Sequence, residues 1–308
     1  MQSKTKFNIS DGQVRAVFAA AGLGEATEIT AVSDGWYNNV LTVTAGGEKY
    51  VLKVAPHPEV PVLTYEEGIM EKELRFYALL RERTKVVTPK IVFQDFSREV
   101  IPCDWFIMEF LPGTRLDKTK LSRDEKAGVD KVIQDILAEF HGIAGEGFGY
   151  EQNGLEETWY LALRKMAQNM AGDCARFGKS CRMGEKLLRY IDRHRAVLEA
   201  VPSVLVNFDL HSGNIMYDDG KLAVFDLERC FWGDRIGDFI VRGMSPPKAF
   251  GREEQIRFYL LMAYLAVMMH TEKYSRYHPL NVIWWMDVGG ALGLGLKSFA
   301  ALRKLSKA

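Results

Sequence analysis

Asn207-Phe208-Asp209-Leu210-His211-Ser212-Gly213-Asn214, and further along Asp226-Leu227-Glu228, are the stretches on which the reading of this chain turns. Between them two short β-type runs, residues 214–217 and 222–225, flank Asp218-Asp219-Gly220. An Asp-Gly step between such runs is a hairpin signal, because both residues tolerate the backbone of a tight turn. A hairpin brings the chain back to its starting level, so Asp226 returns beside Asn214. The side-chain oxygens of Asp209, Asn214 and Asp226 then meet at one point.

Outward from the hairpin the pattern is helical. A β-type run at 204–208 precedes it, and the chain from 252 onward is helical again. Upstream, Val129, Val132, Ile133, Ile136, Leu137 and Phe140 recur at helical spacing, and further helices are expected at about 155–172 and 182–200. Residues 258–269, the most hydrophobic run, are too few to span a bilayer and read as a buried helix. Ahead of residue 110 strands dominate. A short amphipathic helix at 10–22 carries Val14, Val17 and Phe18 on one side. Strands follow at 27–32, 40–43 and 49–54, the last two around Ala45-Gly46-Gly47. Residues 66–82 read as a helix with Ile69, Glu73, Phe76 and Leu80 on one row and Met70, Leu74 and Tyr77 on the next; Glu66, Glu67 and Glu71 fall to the solvent side. Strands at 90–93 and 104–110 close at Leu111-Pro112-Gly113. The expectation is an α+β fold: a small five-stranded lobe with one main helix at 1–108, a hinge at 109–114, and a larger helical lobe at 115–308 with the hairpin embedded in it.

Asp209, Asn214 and Asp226 form the inventory that phosphoryl transfer from ATP requires, namely two oxygen ligands for magnesium and a carboxylate for the attacking hydroxyl. Magnesium keeps several waters, so two protein ligands suffice. The D-L-x-x-x-N spacing agrees with the kinase catalytic loop. Together with Asp226 it resembles the H-G-D-L-H-x-G-N … I-D-F/W-E/D signature of the aminoglycoside phosphotransferase family, departing at Asn207 (usually His) and Phe208 (usually Gly). The resemblance implies a bilobal protein-kinase-like fold, with Asp209 as the catalytic base, Asn214 and Asp226 as the magnesium ligands, and His211 where protein kinases place a phosphate-contacting lysine. Lys53, alone among apolar neighbours in a strand, needs a partner for its charge. The related fold supplies ATP phosphates and a helical glutamate, for which Glu73 is the candidate. Gly35 and Asn38, in Ser33-Asp34-Gly35-Trp36-Tyr37-Asn38-Asn39, occupy the position of the phosphate-covering loop, although a Gly-Asn-rich turn alone looks the same. Glu109 and Leu111 are the hinge residues whose main chain would meet adenine. Gly233-Asp234-Arg235-Ile236-Gly237-Asp238 resembles the family's G-D-P-x-x-D segment, in which Asp238 buttresses the catalytic loop and Asp234 supports it or faces substrate. These matches run nearly the whole chain in order.

Composition narrows the partners. The 40 basic and 40 acidic residues cancel, which removes the electrostatic footprint of a nucleic-acid binder. Cys103, Cys174, Cys181 and Cys230 form no CxxC pair, so neither a structural zinc site nor a disulfide framework is expected. The first residues lack a signal-peptide core. A cytoplasmic enzyme using ATP and Mg2+ on a small-molecule hydroxyl is expected, with no nucleic-acid or membrane partner. The acceptor stays open. Aminoglycosides are polycations that call for carboxylates, yet residues 155–200 and those after 250 lean basic, which favours a neutral or anionic alcohol. Trp232, Tyr259, Tyr274, Tyr277, Trp284 and Trp285 could stack on a ring or cage a quaternary amine, or simply be core. The alternatives are a choline-, sugar- or amino-alcohol-type metabolic kinase of the same fold, and an ATP-binding pseudokinase module.

Overall fold

The computed structural model describes residues 3–32, 35–243, 245–278 and 280–307, the side chain of Asp287 excepted; Ser33 and Asp34 of the phosphate-loop candidate lie outside the described residues. Helix α1 (Asp11–Ala20) opens with a capping box between Ser10 and Gln13, in which each side chain satisfies the other's backbone N–H. Its buried Val14, Val17 and Phe18 pack on one face of a sheet. That sheet holds β1 (Ala26–Ala31), β2 (Asn39–Ala45) and β3 (Glu48–Val54), with Gly46 and Gly47 turning between the last two at φ +58° and +86°. After α2 (Ile69–Arg83) come β4 (Ile91–Asp95) and β5 (Trp105–Glu109), giving the spatial order β1-β2-β3-β5-β4 with every pair antiparallel. The period-two alternation of β3 sends Leu52 and Val54 into the core beneath α1 and Lys53 toward α2.

One expectation is overturned here. The helix begins at Ile69, because Gly68 (φ +67°) breaks it from a separate 3-10 turn over Thr64–Glu66. The α2 faces therefore say nothing of Glu66, which is buried and bonded to Arg276 at 2.6 Å, whereas Glu67 and Glu71 are exposed. This connection between β3 and α2 reaches over to the helical lobe. Thr64 gives both its N–H and its hydroxyl to Asp173 (2.9 and 2.6 Å), and the Asn153 amide donates to the Thr64 carbonyl at 2.9 Å.

The remainder runs through β6 (Thr114–Arg115), α3 (Arg123–His141), α4 (Trp159–Arg176), α5 (Arg182–Arg193), α6 (Arg195–Glu199), β7 (Val204–Val206), β8 (Ile215–Asp218), β9 (Lys221–Val224), β10 (Phe231–Gly233), α7 (Gly237–Ile240), α8 (Arg252–Arg276) and α9 (Val282–Leu305). The fold is α+β, as expected. The single helix expected at 182–200 divides at His194 into α5 and α6. Strands β6 and β10 escaped the sequence reading because two or three residues are too few to show a period. β6 pairs with β8 of the hairpin, and β10 with β7. A core cluster joins the lobes, with Met70, Tyr77, Phe106 and Met108 from one side meeting Ile133, Leu210, Ile215 and Leu222 from the other. Trp232 and Tyr277 are buried, and all four cysteines are buried and free. Among the described residues no helix is long and apolar enough to cross a membrane.

Gly113 joins the sheet to the helical lobe with φ +89°, and a Cβ there would lie 2.2 Å from the Tyr217 carbonyl oxygen. Gly113→Ala is expected to cost at least about 2 kcal/mol from backbone strain and displacement of β8. Urea denaturation of the two proteins measures it; an unchanged midpoint would contradict this reading of the turn.

Candidate active site

The loop after β7 is built around a residue in an unusual conformation. Phe208 has φ +60°, a left-handed geometry that costs a bulky residue about 1–3 kcal/mol. Two things offset it. The ring is fully buried near Phe231 and Tyr264, a burial that stabilises by about 1.5–3 kcal/mol. The Phe208 N–H also donates to Asp238 Oδ1 at 2.8 Å, while Asp238 Oδ2 lies 2.8 Å from His141 Nε2. Asp238, fully buried, thus buttresses the loop. Asp234 is likewise buried, accepting from the Ile236 N–H and pairing with Arg257 at 2.8 Å. Asn207 braces the loop's next residue, its Oδ1 accepting the Asp209 N–H at 2.9 Å.

Beyond the brace, Asn214 Nδ2 donates to the Asp209 carbonyl at 3.1 Å and reaches Asp209 Oδ2 at 3.5 Å. The hairpin pairs Ile215 with Val224, and the Phe225 N–H donates to the Asn214 carbonyl at 3.1 Å, so Asn214 and Asp226 leave the same end of it. Asp226 has φ +64°; its N–H donates to the Tyr77 hydroxyl at 2.9 Å. His211 turns Nδ1 toward the Gly213 N–H (2.9 Å) and Nε2 toward Asp209 Oδ1 (3.9 Å), with nearly half its side chain exposed.

Lys53 gathers the rest. Its Nζ lies 2.8 Å from Glu73, 2.9 Å from Asp226 and 2.6 Å from Glu228, and the three carboxylates come within 4.8 Å of one another. Burial alone would pull the ammonium down; Asp226, Glu228 and Glu73 outweigh it and hold it well above its ordinary range. Burial pushes Glu73 up against the pull of Lys53, and pushes Glu228 up to about 8. For Asp226 the balance reverses, because Lys53 more than overcomes burial and keeps that carboxyl low. Burial also raises Asp209, opposed chiefly by Arg229, whose Nη1 is 3.4 Å from Asp209 Oδ1.

The structure therefore brings Lys53, Glu73 and Asp226 into one group; Asn214 leaves the same end of the hairpin as Asp226 and holds Asp209, with His211 beside it. Asn38 joins through Glu228, to which its Nδ2 donates, while its buried Oδ1 has no partner among the described residues. Gly35, at φ +91°, is the exposed bend of that loop. Glu109 and Leu111 stand further along the sheet: Lys53 faces Phe106 and Tyr50 faces Glu109, whose N–H is taken by the Lys90 carbonyl at 2.9 Å. Sequence reasoning assigned no role to Glu228 or Arg229 and missed the network behind them. Arg229 Nη2 meets Glu272 (2.8 Å), which also holds Tyr65 (2.5 Å) and Arg276 (3.1 Å). The available signal was charge inside α8, where Glu272, Lys273 and Arg276 interrupt an apolar helix.

The model of the family described as "Phosphotransferase enzyme family" matches residues 28–268. Among solved structures, a Ralstonia eutropha JMP134 protein provisionally described as an aminoglycoside phosphotransferase aligns with TM-score 0.66 at 15% identity, over 96% of this chain and 99% of that one. A thermostable mutant of aminoglycoside phosphotransferase APH(4)-Ia, in ternary complex with AMP-PNP and hygromycin B, aligns with TM-score 0.63 at 16% identity, over 94% and 97%. The streptomycin–ATP complex of APH(2″)-IIa gives 0.58 at 16%, over 93% and 97%. No curated protein sequence matches.

Lys53→Met would leave buried carboxylates without their cation, an expected loss of about 3–5 kcal/mol. Glu73 and Glu228 are already raised by burial, and removing the lysine raises them further. A carboxyl raised on folding contributes stability below its unfolded value and loses it as pH climbs through the folded one. The gap between variant and wild type should thus be wider at pH 8 than at pH 5, which denaturant titrations at the two pH values would measure; equal gaps would count against the cluster's energetics.

Proposed function

The chain belongs to the phosphotransferase enzyme family, and on that premise we propose that it moves the γ-phosphate of Mg-ATP to a hydroxyl of a small molecule. The observation that carries this is the convergence of Asp209, Asn214 and Asp226 at one end of the hairpin, under Lys53. Asp209 acts as the base: buried enough to have its pKa raised, it accepts the acceptor's proton as the oxygen attacks. Arg229 keeps that carboxylate oriented. Lys53, released in part from its carboxylates, meets the phosphates, and Glu73 keeps it aimed. His211 has only Nε2 left for a phosphate oxygen, since Nδ1 serves Gly213. Gly35 and Asn38 shape the covering loop, Asn38 by tethering it to Glu228. The main chain of Glu109 and Leu111 meets the adenine edge.

Magnesium fits the residues present. The donors are all hard oxygens, and Asp226, about a third exposed, has room that Glu73 lacks with both oxygens on Lys53. Asn214 and Asp226 would hold the ion, which when bound neutralises charge on the phosphates.

For the acceptor, a neutral or anionic alcohol is favoured over a polycation. Buried carboxylates of the network that runs on from Arg229 already have arginine partners, Glu272 with Arg229 and Arg276 and Glu66 with Arg276, and buried Asp173 likewise pairs with Arg176. Hygromycin B and streptomycin are ligands of the structural neighbours and enter here only as candidates.

An ATP-consumption screen over sugars, amino alcohols, hydroxy acids and aminoglycosides should give turnover with a neutral or anionic alcohol. Mg-ATP binding with no turnover on any acceptor would point instead to a nucleotide-binding module. With the best acceptor, Asp209→Asn should lower kcat by about 10²–10⁴-fold while Mg-AMP-PNP affinity stays within about twofold. Asp226→Ala should weaken Mg-AMP-PNP binding itself. Equal losses of affinity and rate in Asp209→Asn would sink the assigned role.

A further inference from the structure

Residues 3–5 make a set of contacts that the reaction outlined above does not use. The Ser3 and Thr5 hydroxyls both donate to one carbonyl, that of Trp36, at 2.6 and 2.8 Å, and lie 2.9 Å from each other. Between them the Lys4 N–H donates to the Arg276 carbonyl at 2.8 Å. Arg276 is the last residue of α8, so that carbonyl is one of the acceptors a helix end leaves without an internal partner. Ser3 is 5% exposed and Thr5 not at all, so these polar groups depend on one another for their hydrogen bonds.

What is tied down is the loop read above as the phosphate cover. Trp36 follows Gly35 directly and packs edge-on against Tyr277, just past α8, with ring centroids 5.1 Å apart. The next residue, Tyr37, donates its hydroxyl to the Glu66 carbonyl at 3.3 Å. The far end is held by the same segment, since Asn39 Nδ2 donates to the Phe7 carbonyl at 2.9 Å. A Gly-Asn-rich loop left to itself would open locally at little cost. Residues 3–7 instead pin both ends of 36–39, and residues 3–5 anchor it to the end of α8.

We propose that Ser3 and Thr5 are positioning residues for the nucleotide's phosphates, acting through the Trp36 carbonyl to hold the covering loop against the helical lobe. This rests on the reading of Gly35–Asn38 as that loop. Holding the loop in place before the nucleotide arrives removes an ordering cost from binding, so the effect falls on affinity for the triphosphate and on KM for Mg-ATP, and much less on kcat.

The test compares wild type, the Ser3→Ala/Thr5→Val double variant and Thr5→Ser by calorimetric titration with Mg-AMP-PNP and, separately, with adenosine, which has no phosphates. The double variant should bind Mg-AMP-PNP about 10-fold more weakly, as loss of two hydrogen bonds implies, and adenosine unchanged. Thr5→Ser, which keeps the hydroxyl, should bind like wild type. Equal weakening toward both ligands, or none toward Mg-AMP-PNP, overturns the proposal. Failure of wild type to bind Mg-AMP-PNP overturns the kinase reading and this proposal with it, whereas binding by wild type that is untouched in the double variant removes only the role of Ser3 and Thr5.

Discussion

A single buried ammonium holds this molecule's working parts in register. Lys53 is almost inaccessible to water, and a lone cation there would be expensive. It is tolerable because three carboxylates surround it, and they come from places far apart in the chain. Glu73 lies on α2, while Asp226 and Glu228 follow the hairpin of the other lobe. The same electrostatic demand that keeps the lysine charged therefore fixes the distance between the sheet, its helix and the hairpin. Tyr77 adds a second link, accepting from the Asp226 N–H and donating to Glu73. Charge neutralisation and lobe alignment are one requirement here, and the geometry around Asp209 is built on it.

Much of this was legible from local spacing. The β2–β3 turn, the apolar rows of α2 and α3, and the hairpin that brings Asp226 back to Asn214 each depend on residues within a few positions of one another. Lys53 was legible too, as a charge in an apolar strand. The unread part is long-range. Nothing near Arg229 signals that it will meet Glu272, and nothing near Tyr65 signals that it will share that same carboxylate. Glu66 was misread because a helical wheel assumes a continuous helix, and Gly68 interrupts it. Very short strands such as β10 are set by their partners and not by their own pattern.

The two departures from the family signature have separate explanations. Asn207 supplies, with a short amide, a brace for the Asp209 N–H, and the histidine that Asp238 engages comes from α3. Phe208 stands where glycine would relieve the left-handed backbone. Its ring recovers that cost by filling space beside Phe231 and Tyr264, so the loop trades local ease for packing. Both substitutions act on the loop's support and leave the oxygens of Asp209 and Asn214 at its tip.

The connection between β3 and α2 has a mechanical consequence. Glu66 on that connection is locked to Arg276 of the helical lobe in a buried ion pair whose rupture would cost several kcal/mol. Together with the covalent crossing at Gly113, it gives the lobes a second tether on another side. Swinging the two halves apart like the covers of a book would first have to break that ion pair. That cost favours passage of small molecules by local lifting of loops and side chains over movement of the large blocks.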